Sequence, residues 1–359
     1  MIATRKILLT GTHITPAVEL IHQLHTDTDF HWQISYIGRR YNSSTSTDPS
    51  IESKIIPNLR VKFYGILCGK FDRRWLPNTL KGIPQIFSGF FDAYKILSTF
   101  KPTVVVSFGG YVSVPVIFAA WLLGIKSITH EQTKTLSLST SLSTPFSQFI
   151  ALSFPHRSTH PKYVLTGNLL RRDIFKSTSK KYKKYENLLK KIPLIYLTAG
   201  NQGSQHLNQN LKEILPQLSQ KNLIIHQTGD KDFPKYKKLS STYLHYLPTA
   251  FVTTDDIGWI FKHAHLIISR AGANTIQEIA VIGKNSIIIP LPVSQQDEQL
   301  KNALWLKRKF PQHTIIIKDD QLTPQTLLKS IQILLKKKGP RLKVEAKPNL
   351  KLLKLIKKL

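Results

Sequence analysis

The stretch TVVVSFGGYVSVPVIFAAWLLGIKSITH, residues 103–130, decides the fold class of this chain. It predicts a buried strand at 104–107, a glycine turn, a buried helix at 116–123 and a second strand at 126–130. From the first valine the run carries no charge for about 22 residues, which is the length that a bilayer crossing needs. Two glycines, a serine and a proline interrupt it, so we interpret it as a strand–turn–helix–strand unit rather than a membrane span.

Similar strand signals recur along the chain and alternate with helical patterns. The first series of strands is predicted at residues 6–10, 33–37, 103–107 and 126–130. The second series is predicted at residues 194–198, 223–228, 266–269, 286–290 and 314–318. Strands that alternate with helices form parallel sheets, and 359 residues suit two domains of ordinary size. We therefore predict an α/β fold with two doubly wound, Rossmann-like domains.

A polar, strongly basic segment, STSKKYKKYENLLKK, separates the two series. We predict a first domain over residues 1–176, a linker over 177–192 and a second domain over 193–340. Residues 341–359 end in a basic amphipathic helix that has four apolar residues on one face and lysines opposite. Such a helix either docks back on the first domain, which we favour, or lies in a membrane interface.

The chain is strongly basic. Its 51 Lys and Arg residues against 21 Asp and Glu residues leave a formal net charge of +30, and such a field attracts polyanions. Nucleic acid, an anionic membrane surface and phosphorylated substrates all qualify, so composition does not choose among them. The single cysteine, Cys68, excludes an internal disulfide framework and a thiolate metal site, and it favours the cytosol. The first apolar run is short, so we expect no export signal.

Glycine-containing turns follow three of the predicted strands. They read GTHITPA at 11–17, AGNQGS at 199–204 and SRAGANTIQE at 269–278. Ligands of doubly wound sheets bind beyond the carboxyl ends of the strands, where glycine turns and helix N-termini approach phosphates. The last turn is followed by Glu278, and this resembles the way dinucleotide folds hold a diphosphate and a ribose. Glycine also serves αβ turns for purely structural reasons, so one turn alone does not establish a phosphate site.

Eight motifs in order make the chain similar to a known family. They are GTHITPA, FGGYVSVP (108–115), HEQT (130–133), TGNLLR (166–171), AGNQGS, HQTGD (226–230), SRAGANTIQE and QQDEQLKNA (295–303). Together they cover most of the chain. Through them it resembles the MurG family of bacterial glycosyltransferases, which add N-acetylglucosamine to lipid I in peptidoglycan synthesis.

This resemblance implies a GT-B fold, in which two Rossmann-like domains face a cleft, and a metal-independent transfer that inverts the anomeric carbon without a cofactor. The donor would be UDP-N-acetylglucosamine, held mainly by the C-terminal domain. The acceptor would be a lipid-linked pyrophosphoryl sugar, met by a peripheral enzyme at the cytoplasmic face of the cell membrane.

The resemblance also assigns site residues, motif by motif. The catalytic base would be His13. The donor would be contacted by Gly11, Thr12, Thr133, Arg171, Asn201, Thr254, Ala273, Asn274, Thr275, Ile276, Gln277, Glu278 and Gln299. Within that set, Glu278 would hold the ribose hydroxyls and Gln299 the sugar hydroxyls.

Several positions depart from the family's pattern. The family's first loop reads GGTGGH, whereas GTH at residues 11–13 lacks two glycines before the histidine. Further replacements are Thr133 for asparagine, Ala199 for glycine, Asn201 for serine and Glu298 for histidine. If His13 is not the base, Glu131 is the next candidate, because it follows a strand of the same sheet. Another lipid-linked acceptor, and UDP-sugar binding without catalysis, remain alternatives.

Two further segments have competing interpretations. Asp27 and Asp29 form a D-x-D pattern of the kind that holds Mg²⁺ or Mn²⁺ on a diphosphate, but they lie at the sheet edge opposite the ligand loops. We interpret them as a solvated loop. Residues 63–91 mix aromatic and basic side chains, which suits either an anionic membrane interface or a helix with an aromatic core side and a basic surface. No nucleic-acid fold signature accompanies them, so we expect no nucleic-acid partner.

Overall fold

The computed structural model describes residues 2–41, 48–68, 76–156, 158–200, 203–294, 297–340 and 349–359; the side chains of 76–84 and 86 are not described. The chain divides into two compact units. The first contains Met1–Arg171 together with Asn349–Leu359, and the second contains Arg172–Pro348.

The first unit is built on a parallel sheet. Its strands are β1 Thr4–Gly11, β2 His31–Arg39, β3 Lys62–Ile66, β4 Val104–Phe108, β5 Lys126–Glu131, β6 Phe149–Leu152 and β7 Tyr163–Leu165. Its helices before residue 171 are α1 Ile14–His25, α2 Ile51–Ile55, α3 Leu76–Phe100, α4 Ser113–Leu122 and α5 Leu138–Ser143. The strand order is β3-β2-β1-β4-β5-β6-β7. The order reverses between β1 and β4, so the loops after these two strands flank the switch point where ligands of such sheets bind.

The second unit repeats this plan. Its strands are β8 Leu194–Thr198, β9 Leu223–Gln227, β10 Tyr246–Thr249, β11 Ala264–Ser269, β12 Asn285–Ile288 and β13 Thr314–Ile316. Its helices are α6 Glu186–Leu189, α7 Gln205–Leu218, α8 Phe233–Leu239, α9 Thr254–His263, α10 Ala273–Ile282, α11 Glu298–Lys309 and α12 Pro324–Leu335. The order β10-β9-β8-β11-β12-β13, all parallel, places the switch point between β8 and β11. The predicted pair of doubly wound sheets is confirmed.

The strands form because both of their faces are buried. In β1, Ile7 and Leu9 pack into the core on the α1 side of the sheet, while Leu8 packs into the core on the α4 side. β4 is buried at every position, which explains its run of three valines, since a strand that is covered on both faces need not alternate apolar and polar residues. Burying each such side chain contributes roughly 1.5–3 kcal/mol to folding. Residues 103–130 thus form the strand–turn–helix–strand unit that was predicted.

The predicted linker differs from the structure. The units divide at Arg171/Arg172, so residues 177–192 belong to the second unit, and two of them are buried there. Tyr182 is 2% exposed and stacks on Trp259 with ring centroids 5.7 Å apart. The Ser179 hydroxyl donates to the Asp256 carboxylate. Apolar contacts of this kind are not visible in a stretch whose composition is mostly lysine and serine.

The last helix, α13 Lys351–Lys357, belongs to the first unit. Leu352, Leu353, Leu355 and Ile356 are buried in the same core cluster as residues of α1. Residues 341–348 of the predicted C-terminal segment lie outside the described residues. The amphipathic pattern therefore corresponds to a helix whose apolar face is buried in the first unit and whose lysines lie on the opposite face.

Asp27 and Asp29 do not form the freely solvated loop that we expected. The Lys357 ammonium of α13 donates to both carboxylates, and Trp32 Nε1 donates to Asp27 over 2.7 Å. These bonds lower the pKa of Asp27 even though its burial acts in the opposite direction. The D-x-D pattern thus binds a lysine of the same unit.

Among the helices that the structure describes, none combines the length and the apolar character that a bilayer crossing requires.

Candidate active site

In the first unit, the turn after β1 is pressed against the loop after β4. Gly11 has φ 131°, and a Cβ atom there would lie 2.7 Å from the Phe108 carbonyl carbon. Only glycine fits such a close approach of two backbones. The Thr12 N–H then donates to the Gly109 carbonyl over 3.0 Å. These contacts join the two loops that flank the switch point.

His13 occupies the N-cap position of α1, and its side chain makes no capping hydrogen bond. The shortened loop therefore leads directly into the helix. The ring lies beside Gly109, where an added Cβ would be 3.4 Å from His13 Cδ2. Desolvation lowers the pKa of His13 and outweighs the nearby Glu131 carboxylate, which raises it. The lowered pKa favours the neutral imidazole at neutral pH, which is the form that a general base needs. The groups packed around the ring desolvate it, although the residue as a whole keeps contact with solvent.

Glu131, the alternative base, holds a loop instead. Its Oε1 accepts hydrogen bonds from the Thr133 N–H over 3.0 Å and from the Thr133 hydroxyl over 2.9 Å. Its Oε2 accepts from the Ser137 N–H over 2.8 Å. The residue is 3% exposed. Three donors engage this buried carboxylate, so Glu131 anchors its own loop. Thr133, a predicted donor contact, is part of the same anchored loop.

Sequence reasoning missed a buried ion pair near His13. Arg39, at the end of β2, donates to the Glu52 carboxylate of α2 through Nε over 3.0 Å and Nη2 over 3.1 Å. Arg39 is also hydrogen-bonded to Tyr111 in the loop after β4. The position of Arg39 at the carboxyl end of a strand was a usable signal, because ligands bind at that edge.

In the second unit, the turn after β8 requires a glycine. Gly203 has φ 72°, and a Cβ atom there would lie 2.0 Å from the Thr228 carbonyl oxygen. Ser204 follows as the N-cap of α7, where its hydroxyl accepts from the Leu207 N–H. Asn201, a predicted donor contact in this turn, lies outside the described residues.

Arg270, in the turn after β11, is used inside the unit. Its Nη1 donates to the Asp319 carboxylate over 2.5 Å, and its Nη2 donates to the Ser204 hydroxyl over 2.8 Å. The guanidinium thus ties the β8 turn to the chain after β13. It fixes the geometry of the switch point, and Asp319 neutralises its charge.

The N-terminus of α10 points out of the β11 turn. Gly272 is its N-cap, with φ −62° and no atom within 4 Å of an added Cβ. The first-turn N–H groups of Ala273, Asn274 and Thr275 precede the first hydrogen bond within the helix, which runs from Ile276 N–H to Gly272 O over 3.0 Å. Such a terminus attracts an anion. Ile276 itself is fully buried and its N–H is used, so the predicted contact from Ile276 has no donor.

Two polar side chains of α10 are buried behind this terminus. Glu278 is 1% exposed and Gln277 is 7% exposed. The Gln277 amide nitrogen has no hydrogen-bond partner among the described residues. A buried donor without a partner costs about 1–3 kcal/mol, so this amide is placed to gain from a bound ligand.

The remaining residues that were predicted to contact the donor lie on separate elements of the chain. The Gln299 Oε1 accepts from the N–H groups of Ala271 over 3.2 Å and Leu291 over 3.1 Å, which leaves its amide NH₂ as the end that would meet a sugar. Thr254 is exposed in the first turn of α9. Arg171 is half-buried and is the last residue of the first unit before the chain crosses to the second.

Family models match both parts of the chain. Residues 10–151 match the glycosyltransferase family 28 N-terminal domain, and residues 194–359 match the family 28 C-terminal domain. A Clostridium novyi protein named UDP-N-acetylglucosamine–N-acetylmuramyl-(pentapeptide) pyrophosphoryl-undecaprenol N-acetylglucosamine transferase is 30% identical over 349 residues, 94% of this chain and 92% of the relative. A Clostridium perfringens protein of the same name is 29% identical over 91% of this chain and 89% of its own length.

Solved structures share the fold. The crystal structure of MurG from Acinetobacter baumannii superposes with a TM-score of 0.73 at 23% identity and covers 99% of this chain and 100% of that one. UDP-GlcNAc 2-epimerase from Neisseria meningitidis, bound to UDP-GlcNAc, gives a TM-score of 0.58 at 13% identity over 92% and 91% of the two chains. With its two parallel-sheet units in the GT-B arrangement of elements and its match to both family domains, the chain belongs to glycosyltransferase family 28.

Proposed function

We propose that the chain transfers N-acetylglucosamine from UDP-N-acetylglucosamine to the muramoyl 4-hydroxyl of undecaprenyl-pyrophosphoryl-N-acetylmuramoyl-pentapeptide, converting lipid I to lipid II. The transfer inverts the anomeric carbon and uses no metal. The observation that carries the proposal is the match over 94% of the chain to a relative named for this reaction, because it spans both units rather than the nucleotide-binding half alone.

The second unit supplies the groups that suit the UDP-sugar. The N–H groups at the start of α10 would donate to the diphosphate, and the buried Glu278 would accept the ribose hydroxyls. Gln277 and the Gln299 amide would donate to the uracil or the sugar. Arg171, the last residue of the first unit before the chain crosses to the second, would add positive charge. Fixed hydrogen-bond donors and a cation would stabilise the departing diphosphate in place of a metal ion.

The first unit supplies the base. As the acceptor 4-hydroxyl oxygen attacks the anomeric carbon, the bond from that carbon to the UDP oxygen breaks and its electron pair leaves with UDP. His13 takes the hydroxyl proton. Its neutral imidazole beside Gly109 is the group of the first unit best suited to this step, since Glu131 is held by three donors.

A patch on the first unit would place the enzyme on an anionic membrane at the cytoplasmic face. Phe87, Phe91 and Tyr94 are exposed on α3 and recur on one helical face, and Trp121 and Leu122 are exposed at the end of α4. Ring contacts link the two helices. Aromatic groups on a protein with a net charge of +30 suit a headgroup interface. Phe91→Ser should weaken binding to anionic vesicles, whereas Leu244→Ser, in the second unit, should not.

The test of the proposed function is release of UDP from UDP-N-acetylglucosamine with and without a lipid I analogue. Release that depends on the analogue, accompanied by the disaccharide product and unaffected by EDTA, is the expected result. Release with a different polyprenyl-linked sugar but none with the muramoyl acceptor would reassign the acceptor. Donor binding without turnover on any acceptor would make the chain a UDP-sugar-binding relative.

A further inference from the structure

Arg39, the last residue of β2, lies at the carboxyl edge of the first sheet, beside the turn that carries His13. The register pairs Ile37 with Thr10, so Arg39 comes level with the residue that follows the end of β1. The Arg39 side chain is hydrogen-bonded to Tyr111, in the loop after β4, on the other side of β1 in the sheet. The guanidinium therefore reaches past the end of β1, at the switch point.

Glu52 holds this guanidinium in one orientation. The two hydrogen bonds from Arg39 to the Glu52 carboxylate are 3.0 and 3.1 Å long, and a bidentate pair fixes the plane of the cation. The Glu52 side chain is 0% exposed, whereas that of Arg39 is 20% exposed. The carboxylate is thus wholly buried, while part of the Arg39 side chain still reaches solvent.

Part of the backbone at this edge is already hydrogen-bonded. The Thr12 N–H donates to the Gly109 carbonyl, and the N–H groups of Gly109 and Gly110 donate to serine hydroxyls over 3.1 Å each. Pro16, in the first turn of α1, has no N–H. A phosphate bound at this edge therefore gains from a side-chain donor, and an oriented guanidinium is the group that matches phosphate geometry best.

We propose that Arg39 binds a phosphate oxygen of the diphosphate that links the acceptor sugar to its lipid, with Glu52 and Tyr111 as positioning residues. The inference rests on the proposed function, because that function supplies a diphosphate-linked acceptor. The anomeric and 4-positions of one sugar ring are a few ångströms apart. One muramoyl unit can thus place its phosphate on Arg39 and its hydroxyl on the neighbouring His13.

The test compares acceptors that carry the diphosphate linkage or an uncharged alkyl glycosidic linkage at the anomeric carbon, in the full-length wild type and in Arg39→Gln. Loss of a charge-assisted hydrogen bond to phosphate should raise the KM for the diphosphate acceptor about tenfold or more, and by clearly less for the uncharged acceptor. The Kd for UDP-N-acetylglucosamine should not change. Arg40→Gln is the matched control, since Arg40 is adjacent but exposed and donates to the Gly65 carbonyl.

A merely structural Arg39 predicts a different pattern. Arg39→Gln would then lower the melting temperature and change the KM of both acceptors by the same factor, and that result would overturn the proposal. If the wild type turns over neither acceptor, the proposed function fails, and binding of inorganic pyrophosphate to UDP-saturated enzyme decides the role of Arg39. Binding that Arg39→Gln weakens at least tenfold, and Arg40→Gln does not, supports it; equal binding in all three proteins, or none in the wild type, refutes it.

Discussion

At the switch point of the first sheet the polar groups are mainly side chains, whereas at that of the second sheet they are mainly backbone amides. His13 follows β1, and Arg39 and Glu131 are the last residues of β2 and β5. In the second unit, glycine turns lead to the partly buried N-terminus of α10, and the charge of Arg270 is neutralised by Asp319. The same strand order thus brings titratable side chains to the strand ends of one unit and a helix N-terminus to those of the other.

The comparison teaches that topology determines where a ligand binds but not what is done to it. Both sheets reverse their strand order after the first strand of each unit, so both direct ligands to the same edge. The residues that follow the strands decide the chemistry. Side-chain changes in the first unit should therefore affect turnover, and changes to the turns and to α10 in the second should affect donor affinity.

The largest expected effect is at His13. His13→Ala should lower kcat by roughly 10² to 10⁴ and leave the Kd for UDP-N-acetylglucosamine nearly unchanged, because a base acts in the transition state. The lowered pKa of His13 also predicts that wild-type kcat/KM falls only on the acid side, as pH drops below the ordinary histidine range near 6.5. A variant with a lower melting temperature and a few-fold change in kcat would instead assign His13 a structural role.

A substitution at Glu278 tests the prediction that the second unit sets the affinity for the donor. Glu278→Ala should raise the KM for the UDP-sugar at least tenfold, since a buried carboxylate that accepts hydroxyls forms charge-assisted hydrogen bonds of about 1.5–3 kcal/mol. The KM for the acceptor should stay the same. Glu213→Ala, which changes an exposed glutamate of α7, is the matched control. An unchanged donor KM in folded Glu278→Ala protein would end the ribose assignment.

Substitutions at two glycines of the second unit test whether its backbone binds the donor. Gly203→Ala places a side chain at a positive φ in the β8 turn, with its Cβ atom 2.0 Å from the Thr228 carbonyl oxygen. This variant should lower the free energy of unfolding by about 1–2 kcal/mol or more and should weaken UDP binding. Gly272→Ala meets no atom within 4 Å at φ −62° and should be nearly neutral for stability. Thermal melts and UDP titrations of both variants measure this; equal losses would contradict it.

The smallest effect is expected at Lys357. Lys357→Met should destabilise the chain by about 1 kcal/mol or less. The pKa of Asp27 is lowered in the folded state, so the stability from this pair is present above the unfolded value near 3.9 and is lost as pH falls through the folded pKa. Denaturant melts should therefore show a larger difference between variant and wild type at pH 7 than at pH 3. A difference of equal size at both pH values would assign the effect to packing.

The long, buried elements could be predicted from the sequence, whereas four of the shorter strands could not. Strands at the centres of both sheets have continuous apolar runs, whereas β3, β6, β7 and β10 were missed. β7 has only three residues, and β10 contains Pro248, which is tolerated because the strand lies at the edge of its sheet. Short strands of this kind owe their structure to neighbouring strands rather than to their own pattern.

Candidate residues that a single loop carries could be placed from the sequence, whereas those that combine distant residues could not. His13 and the α10 run directly follow strands of their sheets, and their roles stay predictions. The pairing of Arg39 with Glu52, and of Lys357 with Asp27, depends on how separate elements meet, which no local pattern encodes. The hydrogen bonds between Glu131 and its own loop likewise cannot be seen in the sequence.

The return of α13 to the first unit means that this unit is assembled from two separate stretches of chain. During synthesis, residues 2–171 leave the ribosome well before residues 349–359 exist, and folding of an N-terminal domain ordinarily begins at once. Until Leu352 and Ile356 are synthesised, the apolar surface of the first unit that these two side chains cover therefore stays exposed. A nonsense codon or frameshift near residue 348 should thus act as a folding defect of the N-terminal half, and produce aggregation rather than a shortened active enzyme.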